Sequence, residues 1–135
     1  MRALQYADAV VHLGAIVGDP ASALDEKLTL EINLAATRLI AEAARGFGVQ
    51  RFIFASTCSV YGASDQILDE HSALNPISLY ARTKIGSERV LLALNDDRFA
   101  PLILRFGTVY GLSPRPRFDL VINLLAASCA EVPRC

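Results

Sequence analysis

Three short apolar runs divide this chain, and helical segments lie between them. The runs cover residues 9–13, 50–56 and 100–106 and consist mainly of aliphatic and aromatic side chains. Strands that alternate with helices predict a parallel α/β sheet, because parallel strands are joined by long crossover connections. The hydrophobic fraction of 53% agrees with this fold, since the strands of such sheets are buried on both faces.

Capping residues and helix breakers set the other boundaries. The predicted segments are a short helical lead-in, a helix over 28–45, a polar loop over 62–77, a helix over about 78–94 and a last helix from about residue 119. Ser78 is a suitable N-cap, and Gly46 and Gly48 suit a helix C-terminus followed by a turn. The stretch 128–135 fits no helix well.

Composition and charge exclude several classes of protein. The net charge of −1 gives no electrostatic basis for binding nucleic acid or an anionic membrane. No apolar segment has the length needed to span a bilayer, and the first residues lack the layout of a signal peptide. The three cysteines have no metal-ligand spacing, so we expect no metal site and a reducing, cytoplasmic environment.

Tyr80 and Lys84 lie four residues apart at the start of the helix that Ser78 caps. Residues at i and i+4 share one helix face, so the phenol and the ammonium point the same way. A nearby ammonium lowers a tyrosine pKa and creates a proton acceptor usable near neutral pH. Thr57, next to the strand over 50–56, offers a hydroxyl to hold a substrate oxygen. By itself, the pair is equally consistent with an exposed tyrosine and lysine that have no catalytic role.

Five motifs follow one another along the chain. They are residues 7–15, 31–37, 54–62, the Tyr80/Lys84 pair and 104–111, which read ADAVVHLGA, EINLAAT, FASTCSVYG, YARTK and LRFGTVYG. In this order they resemble the extended short-chain dehydrogenase/reductase family, in its NAD-dependent epimerase/dehydratase group. The resemblance implies a partial Rossmann-like, doubly wound parallel sheet with strands four to six of the family fold. It assigns residues 1–127 to a partial NAD-binding domain and leaves 128–135 as an atypical tail, without the substrate domain.

The resemblance also implies roles for individual residues. Tyr80 becomes the general acid/base of hydride transfer between a nucleotide sugar and NAD, with Lys84 and Thr57 as its catalytic partners. The implied cofactor contacts are Leu13, Gly14, Ala15, Asn33, Tyr80, Lys84 and Phe106. The implied substrate contacts are Thr57, Cys58, Ser59, Thr108 and Asn123. Asn33 is equally consistent with a polar helix residue and Phe106 with a core phenylalanine, and a homodimer is implied for the full-length relative.

The chain departs from the family pattern in ways that bear on function. The sequence contains no Gly-x-x-Gly-x-x-Gly, the turn whose backbone N–H groups hold the pyrophosphate of the dinucleotide. We therefore expect the middle part of a longer enzyme, truncated at both ends, that binds NAD weakly or not at all by itself. Residues 57–59 read Thr-Cys-Ser where the 4,6-dehydratases of the family carry Thr-Asp-Glu, which favours an epimerase or a dehydrogenase/reductase.

Two other interpretations stay open at this stage. The chain is alternatively a non-catalytic fragment with the family's core, or a Rossmann-like interaction module without cofactor binding. His12 lies within an apolar strand, and we expect a hydrogen-bonded core histidine rather than a catalytic one. Thr108 stands where the family often has an asparagine that contacts substrate, so the sugar and its reacting carbon are not assigned.

Overall fold

Strands and helices alternate in the computed structural model of this protein, which describes residues 2–114 and 116–131. After a 3₁₀ turn at Arg2–Tyr6, the elements are β1 (Ala9–His12), α1 (Asp19–Leu24), α2 (Glu26–Leu30), a π-helical turn (Glu31–Ala35), α3 (Ala36–Gly46), β2 (Arg51–Thr57), a 3₁₀ turn (Cys58–Tyr61), α4 (Leu79–Leu94), β3 (Ala100–Phe106) and α5 (Val121–Glu131). This order confirms the predicted α/β class.

The three strands form one parallel sheet in the order β1-β2-β3. Val10 lies opposite Phe52, and at the other end of the sheet Thr57 lies opposite Phe106. The arrangement confirms the expected part of a Rossmann-like fold. Because parallel strands end at the same edge, the hydroxyl residues after β2 lie where open α/β sheets bind their ligands.

The core lies between one face of the sheet and helices α3 and α4. Phe52, Phe99 and Leu91 are fully buried there, and the rings of Phe52 and Phe99 pack with their centroids 5.9 Å apart. On the opposite face, Val11 and Leu102 are 59% and 53% exposed. The described part of the chain therefore covers the sheet on one side only.

His12 is hydrogen-bonded, as predicted, but it is half-buried beside the core rather than within it. Its Nε2 lies 2.9 Å from the hydroxyl of Thr37, and its ring stacks on Phe54 with a centroid distance of 5.9 Å. Burial is the main reason that the pKa of His12 is lowered, and the positive charge of Lys84 adds to the effect. A neutral imidazole in this position satisfies both the packing and the hydrogen bond.

The predicted helix over 28–45 is wrong at its beginning, and it is not one continuous α-helix. Helix α1 already begins after Gly18, whose φ of +90° suits glycine. Asp25 then interrupts the helical conformation and caps α2, since its side chain accepts a hydrogen bond from Leu28 N at 2.9 Å. The chain continues through the π-helical turn into α3, which ends at Gly46 as predicted.

Smaller corrections concern the ends of the other elements. β1 stops at His12, one residue before the predicted end, and β2 is shifted by one residue to include Thr57. Helix α5 continues past residue 127, so the prediction of no helix from residue 128 is wrong up to Glu131, while residues 132–135 lie outside the described ranges. Ser128 fits the helix because its hydroxyl donates to the carbonyl of Leu124 at 3.0 Å. None of the helices described, α5 included, has the length and hydropathy required to cross a membrane.

The loop over 62–77 is closed at its base. Asn75 N donates to the carbonyl of Val60 at 3.0 Å. Gly62 has a φ of +72°, and a Cβ atom there would collide with the carbonyl oxygen of Asn75. Ile67, near the tip, is fully exposed. Glycine is therefore required at the point where the two ends of the loop meet.

Candidate functional site

A cavity of about 600 Å³ opens at the carboxyl ends of β2 and β3. Nine of the twelve predicted site residues line it: Leu13, Thr57, Cys58, Ser59, Tyr80, Lys84, Phe106, Thr108 and Asn123. Asp19, Tyr110 and Arg117 also line it, and the sequence analysis did not single them out. Residues from distant parts of the chain thus meet at the sheet edge that the parallel topology creates.

Thr57 and Ser56 end β2, and their hydroxyls have different partners. Thr57 Oγ1 accepts a hydrogen bond from Ser59 N at 3.2 Å and donates to Ser59 Oγ at 3.1 Å. Ser56 Oγ instead donates to the buried carboxylate of Glu88. Both residues line the cavity, but successive side chains of a strand point to opposite faces. The Ser56 hydroxyl is therefore directed at Glu88, whereas the Thr57 hydroxyl interacts with the Tyr80 phenol.

Tyr80 is buried at the wall of the cavity and is 8% exposed. Burial raises the pKa of its phenol, and the interaction with the Thr57 hydroxyl acts in the opposite direction. The pKa of Tyr80 is therefore raised, whereas a lowered pKa was expected, because burial outweighs the neighbouring groups. Lys84 Nζ lies 5.7 Å from the centroid of the Tyr80 ring.

The Lys84 ammonium is directed at β2. Nζ donates to the carbonyl oxygen of Ala55 at 2.8 Å and lies 4.7 Å from the centroid of the Phe54 ring. Burial lowers the pKa of Lys84 to about 8, and the negative charge of Glu88 opposes this shift. The predicted shared helix face is present, because Tyr80 and Lys84 both line the cavity.

Gly14, Ala15 and Asn33 do not line the cavity. Asn33 is buried, and its side chain accepts from Ile16 N at 2.8 Å and donates to Ile16 O at 3.0 Å. It also donates to Thr83 Oγ1 on α4 at 3.3 Å. Asn33 therefore ties the segment after β1 to α4. A cofactor contact for these three residues stays a prediction.

Asn123 holds neighbouring backbone in place. Its side-chain oxygen accepts from Gly111 N at 3.3 Å, and its side-chain nitrogen donates to Arg117 O at 3.0 Å. Cys58 is an exposed, free thiol at the cavity. Within residues 2–114 and 116–131, no three His, Cys, Asp or Glu side chains are grouped as a metal ion would require.

Sequence reasoning missed an ion pair beside the cavity. Arg105 Nη2 lies 2.7 Å from Glu88 Oε2, and Arg105 Nε contacts both carboxylate oxygens at 3.1 and 3.2 Å. Arg105 Nη1 donates to the Tyr61 hydroxyl at 2.8 Å. Two signals point to this pair in the sequence: Arg105 is a charge within an otherwise apolar strand, and Glu88 lies one helical turn after Lys84.

Comparison with known proteins places this chain within a family. The model of the NAD dependent epimerase/dehydratase family matches residues 1–133, which is nearly the whole chain. The chain belongs to the NAD dependent epimerase/dehydratase family. Among curated members of the family, an uncharacterised UDP-glucose epimerase, YtcB, from Bacillus subtilis (strain 168) is 36% identical over 124 residues. That alignment covers 90% of this chain and 39% of YtcB.

Solved structures of family members are similar in fold as well. MoeE5 in complex with UDP-glucuronic acid and NAD superposes with a TM-score of 0.83 at 35% identity, over 94% of this chain and 43% of MoeE5. UDP-glucuronic acid 4-epimerase from Bacillus cereus in complex with NAD gives a TM-score of 0.82 at 32% identity, over 96% of this chain and 41% of the epimerase. The chain spans about two fifths of the length of these relatives.

Proposed function

We propose that this chain carries the acid/base residues of an NAD-dependent nucleotide-sugar epimerase, or of a related sugar-nucleotide dehydrogenase/reductase. One observation carries the proposal: Thr57, Tyr80 and Lys84 line a single cavity at the carboxyl end of β2. Membership of the NAD dependent epimerase/dehydratase family supports the reaction class. The grouping of an acid/base pair with a hydroxyl favours this proposal over an interaction module without cofactor binding.

Tyr80 is the proposed proton carrier. Its phenol oxygen removes the proton of a sugar hydroxyl and later returns it, and the Thr57 hydroxyl orients the same sugar oxygen. When bound, NAD would supply the acceptor and donor for the hydride that the sugar carbon exchanges. Since burial raises the pKa of Tyr80, its phenolate needs a positive charge nearby. Lys84, the next residue on the same face of α4, supplies it.

The residues present fit the nicotinamide end of NAD. Leu13 and Phe106 offer apolar surface at the cavity and are 65% and 42% exposed, while Lys84 offers a donor for a ribose hydroxyl. Gly14, Ala15 and Asn33 remain proposed as cofactor contacts beside them. The pyrophosphate end has no equivalent support, because the sequence contains no Gly-x-x-Gly-x-x-Gly turn.

The residues next to Thr57 bear on the type of reaction. Cys58 and Ser59 carry no carboxylate, so the acid pair that the family's 4,6-dehydratases carry at these two positions is missing, and epimerisation or simple redox chemistry is favoured. We propose Cys58, Ser59, Thr108 and Asn123 as contacts of the nucleotide sugar. A cytoplasmic location and a homodimer of the full-length protein complete the proposal.

A chimeric enzyme tests the proposed function. Residues 1–127 of this chain replace the matching segment of the Bacillus cereus UDP-glucuronic acid 4-epimerase, and the remaining segments of that epimerase are retained. We expect the chimera to hold NAD and to epimerise UDP-glucuronic acid. Chromatography of the products measures the epimerisation. Tyr80→Phe should lower kcat by about 10²–10⁴-fold, because it removes the oxygen that exchanges the proton.

Tyr6→Phe is the matched control, since Tyr6 is 91% exposed and does not line the cavity. It should leave kcat unchanged, and both variants should retain their NAD. Undiminished turnover in the Tyr80→Phe chimera would refute the role of Tyr80. A folded chimera that holds NAD but has no activity would overturn the epimerase proposal for this substrate.

A further inference from the structure

We infer that Glu88, together with Arg105, is a positioning residue that holds the strand end bearing Thr57 beside Lys84. The inference rests on the proposed function of Thr57 and Lys84. Glu88 does not line the cavity, so it contacts neither the proposed substrate nor the proposed cofactor directly.

Glu88 joins three elements of the fold at one buried point. Its carboxylate, on α4, accepts hydrogen bonds from Ser56 at the end of β2 and from Arg105 in β3. Ser56 and Arg105 lie directly opposite each other in the sheet, so their side chains reach α4 from the same face. The side chain of Glu88 is 3% exposed and that of Arg105 is 20% exposed. Little water therefore competes for these charge-assisted hydrogen bonds.

Both hydrogen-bond partners of Glu88 are next in sequence to proposed site residues. Ser56, which itself lines the cavity, precedes Thr57, and Arg105 precedes Phe106. Lys84 lies one helical turn before Glu88 on α4, so the carboxylate and the ammonium are neighbours on one helix face. A movement of the Glu88 carboxylate is therefore transmitted to the ends of both strands and to Lys84.

Arg105 extends the same network away from the cavity. Its Nη1 donates to the Tyr61 hydroxyl at 2.8 Å and to the Glu70 carbonyl at 3.3 Å, and its guanidinium lies 5.1 Å from the centroid of the Tyr61 ring. The bidentate pairing fixes the carboxylate in a single orientation, which a lysine at position 105 would not do. The network thus fixes the 3₁₀ turn after β2 as well as the strand end.

The charge of Glu88 acts on Lys84 in addition to its hydrogen bonds. The titratable groups that face Lys84 are Tyr80 and Glu88 on α4 and His12 on β1. Of these, Glu88 favours the protonated amine and opposes the effect of burial on the pKa of Lys84. The carboxylate that positions the strand end therefore also keeps the ammonium charged.

The test uses the two lysines of the chain, Lys27 and Lys84. Acetic anhydride labels their amines at a series of pH values, and mass spectrometry compares buried Lys84 with Lys27, whose side chain is 88% exposed. We expect Glu88→Gln to shift the pH midpoint of Lys84 labelling below the wild-type value. Loss of structure alone would move the midpoint the other way, towards the ordinary pKa of 10.5. Glu42→Gln removes a carboxylate from an exposed ion pair and should leave the midpoint unchanged.

Hydrogen exchange supplies the positional measurement. In Glu88→Gln, amide exchange at the end of β2 should accelerate about tenfold or more, because a hydrogen bond to a charged group is lost, whereas peptides of α3 should not change. If Glu88→Gln does not fold, Glu88→Gln/Arg105→Met is used, which removes the guanidinium that would otherwise lose its carboxylate partner. An unchanged midpoint and unchanged exchange in either folded variant would overturn the inference. Neither measurement needs NAD or turnover, so an inactive chimera would refute the proposed function without affecting this result.

Discussion

The Lys84 ammonium donates a hydrogen bond to the carbonyl oxygen of Ala55 at 2.8 Å, and this contact joins helix α4 to the strand that ends at Thr57. Lys84 is 3% exposed, so the charge is held in the interior by one backbone dipole, a nearby aromatic ring and the carboxylate of Glu88. A charge kept in such surroundings makes the stability of the fold depend on pH.

The free energy of unfolding should rise from pH 8 to pH 10. The pKa of Lys84 is lowered to about 8 in the folded chain and is close to 10.5 when unfolded, so the unfolded state binds more protons in this interval. The whole shift corresponds to about 3 kcal/mol. Urea denaturation at several pH values should show that Lys84→Met removes the rise, while Lys27→Met retains it.

The rise in the free energy of unfolding should end near pH 10, because above pH 10 the titration of Tyr80 lowers that free energy. The pKa of Tyr80 is raised in the folded state, so its contribution to stability is lost as the pH rises through that value. An equal rise in wild type and in Lys84→Met between pH 8 and pH 10 would contradict the assignment to Lys84.

Acidification should destabilise the fold through His12. Its pKa is lowered from the ordinary 6.5 by burial and by Lys84, so the unfolded chain takes up the proton first and stability falls as the pH drops below 6.5. His12→Gln should weaken this dependence between pH 7 and pH 5.5, measured by thermal unfolding. His71→Gln, at a side chain that is 85% exposed, should retain it.

NAD should bind weakly or not at all to the 135-residue chain. The sequence offers no Gly-rich turn at a helix N-terminus to hold the pyrophosphate, and the cavity residues proposed above suit only the nicotinamide end. Calorimetric titration with NAD is the measurement, and the chimera with the NAD-bound Bacillus cereus epimerase is the positive control. Micromolar or tighter binding by the chain alone would show that another segment replaces the turn.

The chain should associate in a concentration-dependent way through β1 and the uncovered sheet face. Strand β1 contains no charge and no proline, and Val11 at this edge is 59% exposed. Val11→Lys should reduce the mass measured by light scattering after size-exclusion chromatography. Leu92→Lys is the matched control, because Leu92 on α4 is also 59% exposed but lies away from this edge. A monomer at every concentration would be evidence against the prediction.

Most of the fold was predictable because its signals are local. The three apolar runs give the strands to within a residue, and Ser78 caps α4 through a hydrogen bond from Ala81 N at 3.2 Å. The early helices were missed because Gly18 and Pro20 are typical of loops, whereas here they begin a helix. The N-cap at Asp25 is also a local signal, but it lies between two helices, α1 and α2, rather than between a loop and a helix.

The site was predictable in its members but not in its contacts. Shared helix position brings Tyr80 and Lys84 to one face, yet the direction of the ammonium depends on how closely the Ala55 carbonyl approaches α4. Likewise, the meeting of Glu88 with Arg105 depends on the register between β2 and β3, which no local pattern specifies. The direction in which a side chain reaches a neighbouring strand or helix depends on tertiary packing, and it cannot be read from local sequence patterns.

The closed base of the loop over 62–77 has a consequence for how this region tolerates length changes. Its ends are fixed by the Asn75–Val60 hydrogen bond and by the absence of a side chain at Gly62, while Ile67 near the tip is free of packing. Doubling the length of a flexible loop adds only about 0.6 kcal/mol of closure entropy. We therefore expect extra residues inserted near Ile67 to leave the ends of the loop in place, and we expect the tip to accommodate a tag or a fluorescent reporter without moving Thr57.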